Sequence, residues 1–130
     1  MKFTQATPSG TNLIRRYGAD FITLGEEDIR ASCIVGAREV LRDWAPRTVD
    51  ELTTESFAWI FERKPEVVVL ATGPQQRFPP AALRARFAER RIGLEVMEIG
   101  AASRTYNVLV TEERTAFAAI LLPGPAKGSE

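Results

Sequence analysis

Residues 67–107, VVVLATGPQQRFPPAALRARFAERRIGLEVMEIGAASRTYN, predict a strand, a loop, a helix, a second strand and the beginning of a second helix. Residues 67–71 form an apolar run rich in β-branched side chains, which is typical of a strand buried on both faces. Pro79 and Pro80 suit the start of the first helix, because proline at the first helical position loses no hydrogen bond. Gly93 is placed to end that helix.

The second strand of this segment, residues 94–98, follows the helix too closely to belong to another sheet. A strand–helix–strand unit of this length makes a parallel crossover in nearly all known cases, so both strands end at one edge of the sheet. There the loop 72–78 would face the turn at Ile99 and Gly100, which opens a helix beginning near Ala101. Open α/β sheets bind ligands beyond the carboxyl ends of their strands, and helix N-termini offer free N–H groups to anions. We therefore expect a ligand between these two loops.

A small polar or anionic ligand would meet polar groups from both loops. Arg104 lies one turn inside the second helix, and Ser103 and Asn107 share one helical face because they are four residues apart. The predicted ligand-binding residues are Thr72, Gly73, Gly100, Ser103, Arg104 and Asn107. A structural alternative is a plain strand-ending turn at Thr72, a salt bridge of Arg104, and an Asn107 that caps a neighbouring backbone group. Neither a dinucleotide fingerprint nor a phosphate-binding P-loop is present in the sequence.

The composition indicates an ordinary soluble protein. Its 130 residues and 14.4 kDa predict one domain with a real core. Seventeen basic and seventeen acidic residues cancel, which argues against a nucleic acid partner. The sequence has no apolar run near the roughly 20 residues of a membrane span. Its first ten residues, MKFTQATPSG, lack the apolar core of a signal peptide, so we expect a cytoplasmic location.

The sequence lacks the residues of several common catalytic sites. It contains no histidine and a single cysteine, Cys33, which removes His-containing zinc sites and Ser-His-Asp or Cys-His nucleophile systems. Glu95 and Glu98 are three residues apart on a strand and so fall on opposite faces. We predict no catalytic residues, metal or cofactor, although the sequence leaves open whether the protein is an enzyme. Cys33 is expected to be a small buried hydrophobe rather than a reactive thiol.

The first third of the chain predicts short strands. Residues 12–17 and 21–24 are separated by a turn-prone group, and residues 2–5 are compatible with a short edge strand. Residues 27–44 alternate between apolar and polar side chains and predict a hairpin that turns at residues 36–37. One side of that hairpin is expected to face the core and the other to face water.

The remaining segments predict one more helix and one more strand. Apolar residues at helical spacing predict a helix over residues 54–63, with Thr53 or Thr54 as its cap. The last strand is predicted at residues 116–122, and residues 123–130 are expected to form a mobile tail.

The run GLEVMEIGAASRTYNVLVTEERTAFAAILL, residues 93–122, resembles a small domain family of bacteria, archaea and eukaryotes. The family's Glu-Val-Met, Ala-Ala-x-Arg-Thr-Tyr-Asn and Ala-rich final segments correspond to residues 95–97, 101–107 and 118–122. Eukaryotic relatives resemble mitochondrial complex I assembly factor 3. Many relatives have glycine where this chain has Ala71 and cysteine where it has Ser103, so the resemblance does not extend to a thiol-based function at that loop.

The resemblance implies an α/β fold with three layers. A central mixed sheet of about five strands would contain the βαβ unit, with helices on one side and an extra β-layer plus a helix on the other. It implies no catalytic residues.

Two function classes follow. The resemblance implies a non-enzymatic binding or assembly module whose partners are proteins, such as respiratory or membrane-complex subunits. This class predicts a contiguous apolar surface patch that involves Trp44, Trp59 or Phe61. The alternative is a protein or enzyme that binds a small anion or small molecule in the crevice between the Thr72–Gly73 loop and the Arg104 helix. The sequence does not predict an oligomeric state.

Overall fold

The computed structural model describes residues 10–124, and within that range the chain forms two β-sheets and three α-helices. The strands are β1 (Ile14–Gly18), β2 (Phe21–Leu24), β3 (Glu27–Ile29), β4 (Ala31–Gly36), β5 (Val40–Leu41), β6 (Val67–Ala71), β7 (Gly93–Met97) and β8 (Ala116–Pro123). The helices are α1 (Ala58–Arg63), α2 (Ala81–Glu89) and α3 (Ile99–Thr111), and 3₁₀ turns lie at Val49–Glu51 and Thr54–Phe57. The strand predicted at residues 2–5 lies outside the described residues.

The larger sheet has the strand order β5-β4-β8-β6-β7 and is mixed. β6 runs parallel to both β7 and β8, whereas β4 is antiparallel to β8. The last residue of β6, Ala71, is level with Met97 of β7 and Ile120 of β8. The carboxyl ends of these three strands therefore lie along one edge, and the predicted parallel unit β6–α2–β7 is confirmed.

The three layers follow from the alternation of side chains along the central strands. Val67, Val69 and Ala71 face a core shared with α3 and with the smaller sheet β1-β2-β3. Val68 and Leu70 face the opposite core, which α1 and α2 cover. The predicted three-layer α/β fold, with a five-stranded mixed sheet at its centre, is confirmed.

The segment 27–44 is only partly the predicted hairpin. The turn between β4 and β5 is present, with Val35 opposite Val40. The expectation that one side faces water is wrong for β4, because a core lies on each side of the central sheet: Cys33 and Val35 face one core and Ile34 faces the other. Ser32, whose polarity suggested exposure, is buried at an irregularity in the β4–β8 ladder. Its hydroxyl donates to the Leu122 carbonyl (3.2 Å) and accepts from the Leu122 N–H (2.9 Å).

The predicted helix over residues 54–63 is present as a 3₁₀ turn, Thr54–Phe57, followed by α1, Ala58–Arg63. Thr53 caps the 3₁₀ turn that leads into it, because its hydroxyl accepts from the Ser56 N–H and the Ser56 hydroxyl accepts from the Thr53 N–H. The helix ends at Arg63, and the next residue, Lys64, adopts the left-handed backbone conformation with a φ of 49°.

Two other predicted boundaries are wrong. Helix α2 ends at Glu89 and Arg91 takes the left-handed conformation, so Gly93 begins β7 instead of ending the helix. Pro123 belongs to β8, opposite Ala31, rather than to the tail. The last six residues of the predicted tail lie outside the described residues.

Candidate functional site

The two loops predicted to form a crevice are joined to each other by hydrogen bonds. The Thr72 N–H donates to the Met97 carbonyl (2.9 Å), and the Ile99 N–H donates to the Gly73 carbonyl (2.8 Å). The side-chain amide of Gln76 donates to the Val96 carbonyl (2.9 Å). These bonds continue the β6–β7 pairing beyond the ends of the strands, so the two loops are in direct contact.

A carboxylate of the chain itself occupies the N-terminus of α3. The two carboxylate oxygens of Glu98 accept hydrogen bonds from the N–H groups of Gly100 and Ala101, both at 2.7 Å. These two backbone bonds lower the pKa of Glu98. Loss of hydration opposes them, and the nearby charge of Arg104, the weakest of these effects, lowers the pKa further. The N–H groups that an external anion would need are therefore already bonded.

Arg104 extends toward the smaller sheet. Its Nη1 donates to the Tyr17 hydroxyl (2.8 Å) on the protein surface. The Tyr17 ring lies over Gly100, where a Cβ atom would come within 3.0 Å of it. Gly100 thus makes room for an aromatic side chain of β1.

The rest of the Arg-Thr-Tyr-Asn motif also bonds neighbouring elements. The Asn107 amide donates to the Ile14 carbonyl and accepts from the Ile14 N–H, both at 2.9 Å. The buried Tyr106 hydroxyl donates to the Asn12 carbonyl (2.8 Å), and burial raises the Tyr106 pKa. Asn107 therefore bonds a neighbouring backbone group, as in the structural alternative. The motif attaches α3 to β1 and the residues just before it.

Thr72 and Ser103 differ in their hydrogen bonding. The Thr72 hydroxyl donates to the Gln75 carbonyl (2.7 Å) and accepts from the Arg77 N–H (3.0 Å), which shapes a tight turn with Gly73 at a φ of 94°. The Ser103 hydroxyl is buried and has no hydrogen-bond partner among residues 10–124. That these six residues bind a ligand remains a hypothesis. The hydrogen bonds observed here connect the two loops to each other and α3 to the smaller sheet.

An apolar groove lies on the opposite face of the central sheet, beside the helical segment 54–63. We call it the tryptophan groove; it encloses about 580 Å³ and is lined by Leu41, Trp44, Ala45, Pro46, Glu51, Thr53, Glu55, Ser56, Ala58 and Trp59. Two of the three aromatic residues predicted for an apolar patch, Trp44 and Trp59, lie together here. Phe61 lines a separate cavity of about 460 Å³ with Arg90 and Arg91.

A third cavity lies at the carboxyl edge, on the β6–β8 side instead of the predicted β6–β7 side. This carboxyl-edge cleft encloses about 510 Å³ and is lined by Ala19, Asp20, Arg47, Thr48, Val49, Thr72, Gly73, Pro74, Arg77, Leu121 and Pro123. Thr72 and Gly73 are the two predicted site residues that line it. Sequence reasoning missed the others because no local pattern shows that β8 pairs with β6.

The sequence profile of the family described as "Protein of unknown function (DUF498/DUF598)" matches residues 14–121, which span both sheets. The chain belongs to this family. The resemblance seen in residues 93–122 is thereby confirmed.

This DUF498/DUF598 chain is similar to animal proteins named NADH dehydrogenase (ubiquinone) 1 alpha subcomplex assembly factor 3. The bovine protein is 36% identical over 83 residues, which are 62% of this chain and 45% of that protein. The mouse protein is 30% identical over 113 residues, which are 85% of this chain and 60% of that protein. The chain therefore spans about half the length of the curated relatives it matches.

Solved bacterial structures share the fold of the DUF498/DUF598 chain. A Xanthomonas campestris protein solved by NMR is 30% identical with a TM-score of 0.83, covering 97% of this chain and 96% of that one. A Bordetella pertussis protein described as a Mth938-like domain is 21% identical with a TM-score of 0.78, covering 99% and 97%. At 21% identity, the similarity to the Bordetella pertussis protein concerns the fold alone.

Three further observations on this DUF498/DUF598 protein concern its thiol, metal sites and membrane spans. Cys33 is fully buried, and burial raises the pKa of its thiol to about 12, so the nucleophilic thiolate is absent at neutral pH. Between residues 10 and 124, no three His, Cys, Asp or Glu side chains are grouped to hold a metal ion. Over the same range, no helix has both the length and the apolar character needed to cross a membrane.

Proposed function

We propose that this protein is a non-enzymatic binding module that holds a segment of a partner subunit during assembly of a multisubunit complex. The tryptophan groove is the observation that carries the proposal. A groove with aromatic walls is suited to protein recognition, because a few tryptophan, tyrosine and arginine side chains supply most of the binding energy of protein interfaces.

The groove is preorganised by contacts beneath it. Trp44 packs edge-to-face on Phe57, with ring centroids 5.4 Å apart, and its Nε1 donates to the Ser56 carbonyl (2.7 Å). Trp59 packs on Phe117 at 5.4 Å, and the Arg63 guanidinium lies 3.7 Å from the centre of the Trp59 ring. Both walls are therefore held before a partner arrives, which lowers the entropic cost of binding.

The groove carries negative charge. Glu51 and Glu55 line it, and neither carboxylate lies within 4.0 Å of a basic side chain among residues 10–124. The guanidinium that lies over Trp59, that of Arg63, donates through two nitrogens to the Glu39 carboxylate, at 2.8 and 3.2 Å. The segment that fits this surface is an apolar side chain flanked by lysine or arginine, because opposite charges across an interface favour association.

The relatives indicate which complex to test. The animal relatives are named as assembly factors of NADH dehydrogenase, so we place the partner segment on a subunit of that enzyme or of a related respiratory complex. The cytoplasmic location predicted from the sequence stays a prediction.

The experiment is affinity capture from the source cell with tagged protein, followed by identification of NADH dehydrogenase subunits. We expect wild type to recover such subunits and Glu55→Lys to lose most of them, because the charge reversal repels a basic segment. Glu55 is exposed, so this variant leaves the core intact. Glu26→Lys is the matched control, since Glu26 is also an exposed glutamate and lies in the turn between β2 and β3, away from the groove lining. Trp59→Ala tests the apolar wall, with its urea midpoint measured to confirm folding.

Arg104→Ala separates this proposal from the crevice hypothesis. Arg104 is remote from the groove lining, so its loss should leave the recovered subunits unchanged. Capture that survives Glu55→Lys and Trp59→Ala but fails with Arg104→Ala would overturn the groove as the docking surface. Failure of every folded protein to recover a respiratory subunit would overturn the assembly role.

A further inference from the structure

The carboxyl-edge cleft lies where ligands bind in open α/β sheets, beyond the carboxyl ends of parallel strands. β6 and β8 are parallel neighbours, and their ends contribute Thr72, Gly73 and Leu121 to its lining. Its volume of about 510 Å³ falls in the range of small-molecule sites, roughly 300–1,000 Å³. Hydrogen bonds join the loops that follow β6 and β7, whereas a cavity is open on the β6–β8 side of the same edge.

Two arginines supply positive charge to the cleft. Arg47 is exposed, and within residues 10–124 its guanidinium has no carboxylate partner. Arg77 pairs with Asp50 at 3.3 Å, but both side chains are at least half exposed. An exposed pair of this kind contributes little, so Arg77 can exchange Asp50 for a ligand at low cost.

The remaining lining is mainly apolar and includes one acid. Ala19, Pro74 and Pro123 provide exposed apolar surface next to the arginines, and the buried Val49 and Leu121 lie beneath it. Asp20 also lines the cleft and contacts Arg30 only loosely, at 3.7 Å. A nearby carboxylate disfavours a doubly charged phosphate more than a singly charged ligand.

We propose that the carboxyl-edge cleft binds a small amphipathic carboxylate, whose charge contacts Arg47 and Arg77 and whose apolar body lies on Pro74 and Pro123. The planar guanidinium group matches a carboxylate through two parallel hydrogen bonds. This site is separate from the tryptophan groove and goes beyond the assembly role.

The test uses octanoate as the probe, titrated into ¹⁵N-labelled full-length protein and followed by ¹H–¹⁵N NMR. We expect saturable shifts of the Thr48, Val49, Gly73 and Leu121 amides. Octanol, which has the same chain without the charge, should bind at least about tenfold more weakly, because it lacks the charge-assisted hydrogen bonds.

Variants separate this cleft from the other candidate surfaces. Arg47→Gln should weaken octanoate about tenfold or more, whereas Arg104→Gln and Trp59→Ala should leave its affinity unchanged. Arg47 is exposed, and an unchanged urea midpoint will show that Arg47→Gln folds. The proposal is overturned if millimolar octanoate gives no saturable shift, if the shifts centre on the tryptophan groove, if octanol binds equally well, or if Arg104→Gln rather than Arg47→Gln weakens binding.

Discussion

Replacing Asn107 with alanine tests whether the Arg-Thr-Tyr-Asn motif holds α3 to the smaller sheet. The substitution removes two hydrogen bonds of 2.9 Å to the backbone of Ile14, whose side chain is buried. Each such bond contributes about 0.5–1.5 kcal/mol, and a buried group left unpaired costs about 1–3 kcal/mol. Because the bonds are only partly buried, we expect a total loss of about 2–4 kcal/mol in the free energy of unfolding. Alanine is the better helix former by roughly 0.5 kcal/mol, which offsets a small part.

Urea unfolding followed by circular dichroism measures the loss. A slope of about 2 kcal/mol per molar urea, typical of a small domain, converts the expected loss into a midpoint shift of about 1–2 M. Hydrogen exchange of the Ile14 amide should accelerate, because its acceptor is gone. Arg104→Ala is the control from the same motif. It removes one exposed hydrogen bond to Tyr17 and should cost less than about 1 kcal/mol.

One outcome would refute the interpretation that the motif holds α3 to the smaller sheet. If Asn107→Ala lies within about 0.5 kcal/mol of wild type and costs no more than Arg104→Ala, these bonds do not hold the smaller sheet to α3. The motif would then need another explanation, and the hypothesis of a ligand at its polar groups would gain weight.

Three further predictions concern single side chains. Ser103→Ala should leave stability unchanged or raise it by up to about 1 kcal/mol in urea unfolding, because it removes a buried hydroxyl that has no partner in the described part of the chain; a loss above about 1 kcal/mol would show that this hydroxyl is bonded. Cys33, with a thiol pKa of about 12, should react with Ellman's reagent only after unfolding, and rapid labelling of the native protein would contradict its burial. Glu98→Gln should lower the urea midpoint at pH 7. Because the folded protein lowers the Glu98 pKa, the carboxylate stabilises the fold above the ordinary glutamate pKa of about 4.3 and loses this effect as the pH falls through the folded value. The difference from wild type should therefore shrink in acid, and a difference independent of pH would refute the cap.

Much of the fold could be predicted from the sequence, because the patterns that indicate it involve residues close together in the chain. The apolar run of β6, the proline pair before α2 and the short gap to β7 together predicted a parallel unit, since each signal depends on residues near one another in the chain. The burial of Cys33 followed from residue type in the same way. The end of α2, which the left-handed backbone conformation of Arg91 follows, could not be predicted in this way, because no sequence pattern indicates that conformation.

The candidate site depended on contacts that no local pattern reports. Glu98 looked like a strand residue, yet it caps α3, a position at which serine, threonine, aspartate and asparagine are the residues to expect. The motif residues Arg104, Tyr106 and Asn107 bond partners that are 87 to 94 residues away in sequence. Their polarity was visible in the sequence, but their partners were not.

The sequence by itself determined the α/β class, the parallel unit and the edge at which its strands end, because period, length and turn residues act over short distances. Only the tertiary structure decided that β8 lies between β4 and β6 and that the cavity at this edge opens beside β8 instead of β7. The physical reason is that the choice of neighbouring strand depends on pairing and packing between distant segments, which the alternation within any one strand does not encode.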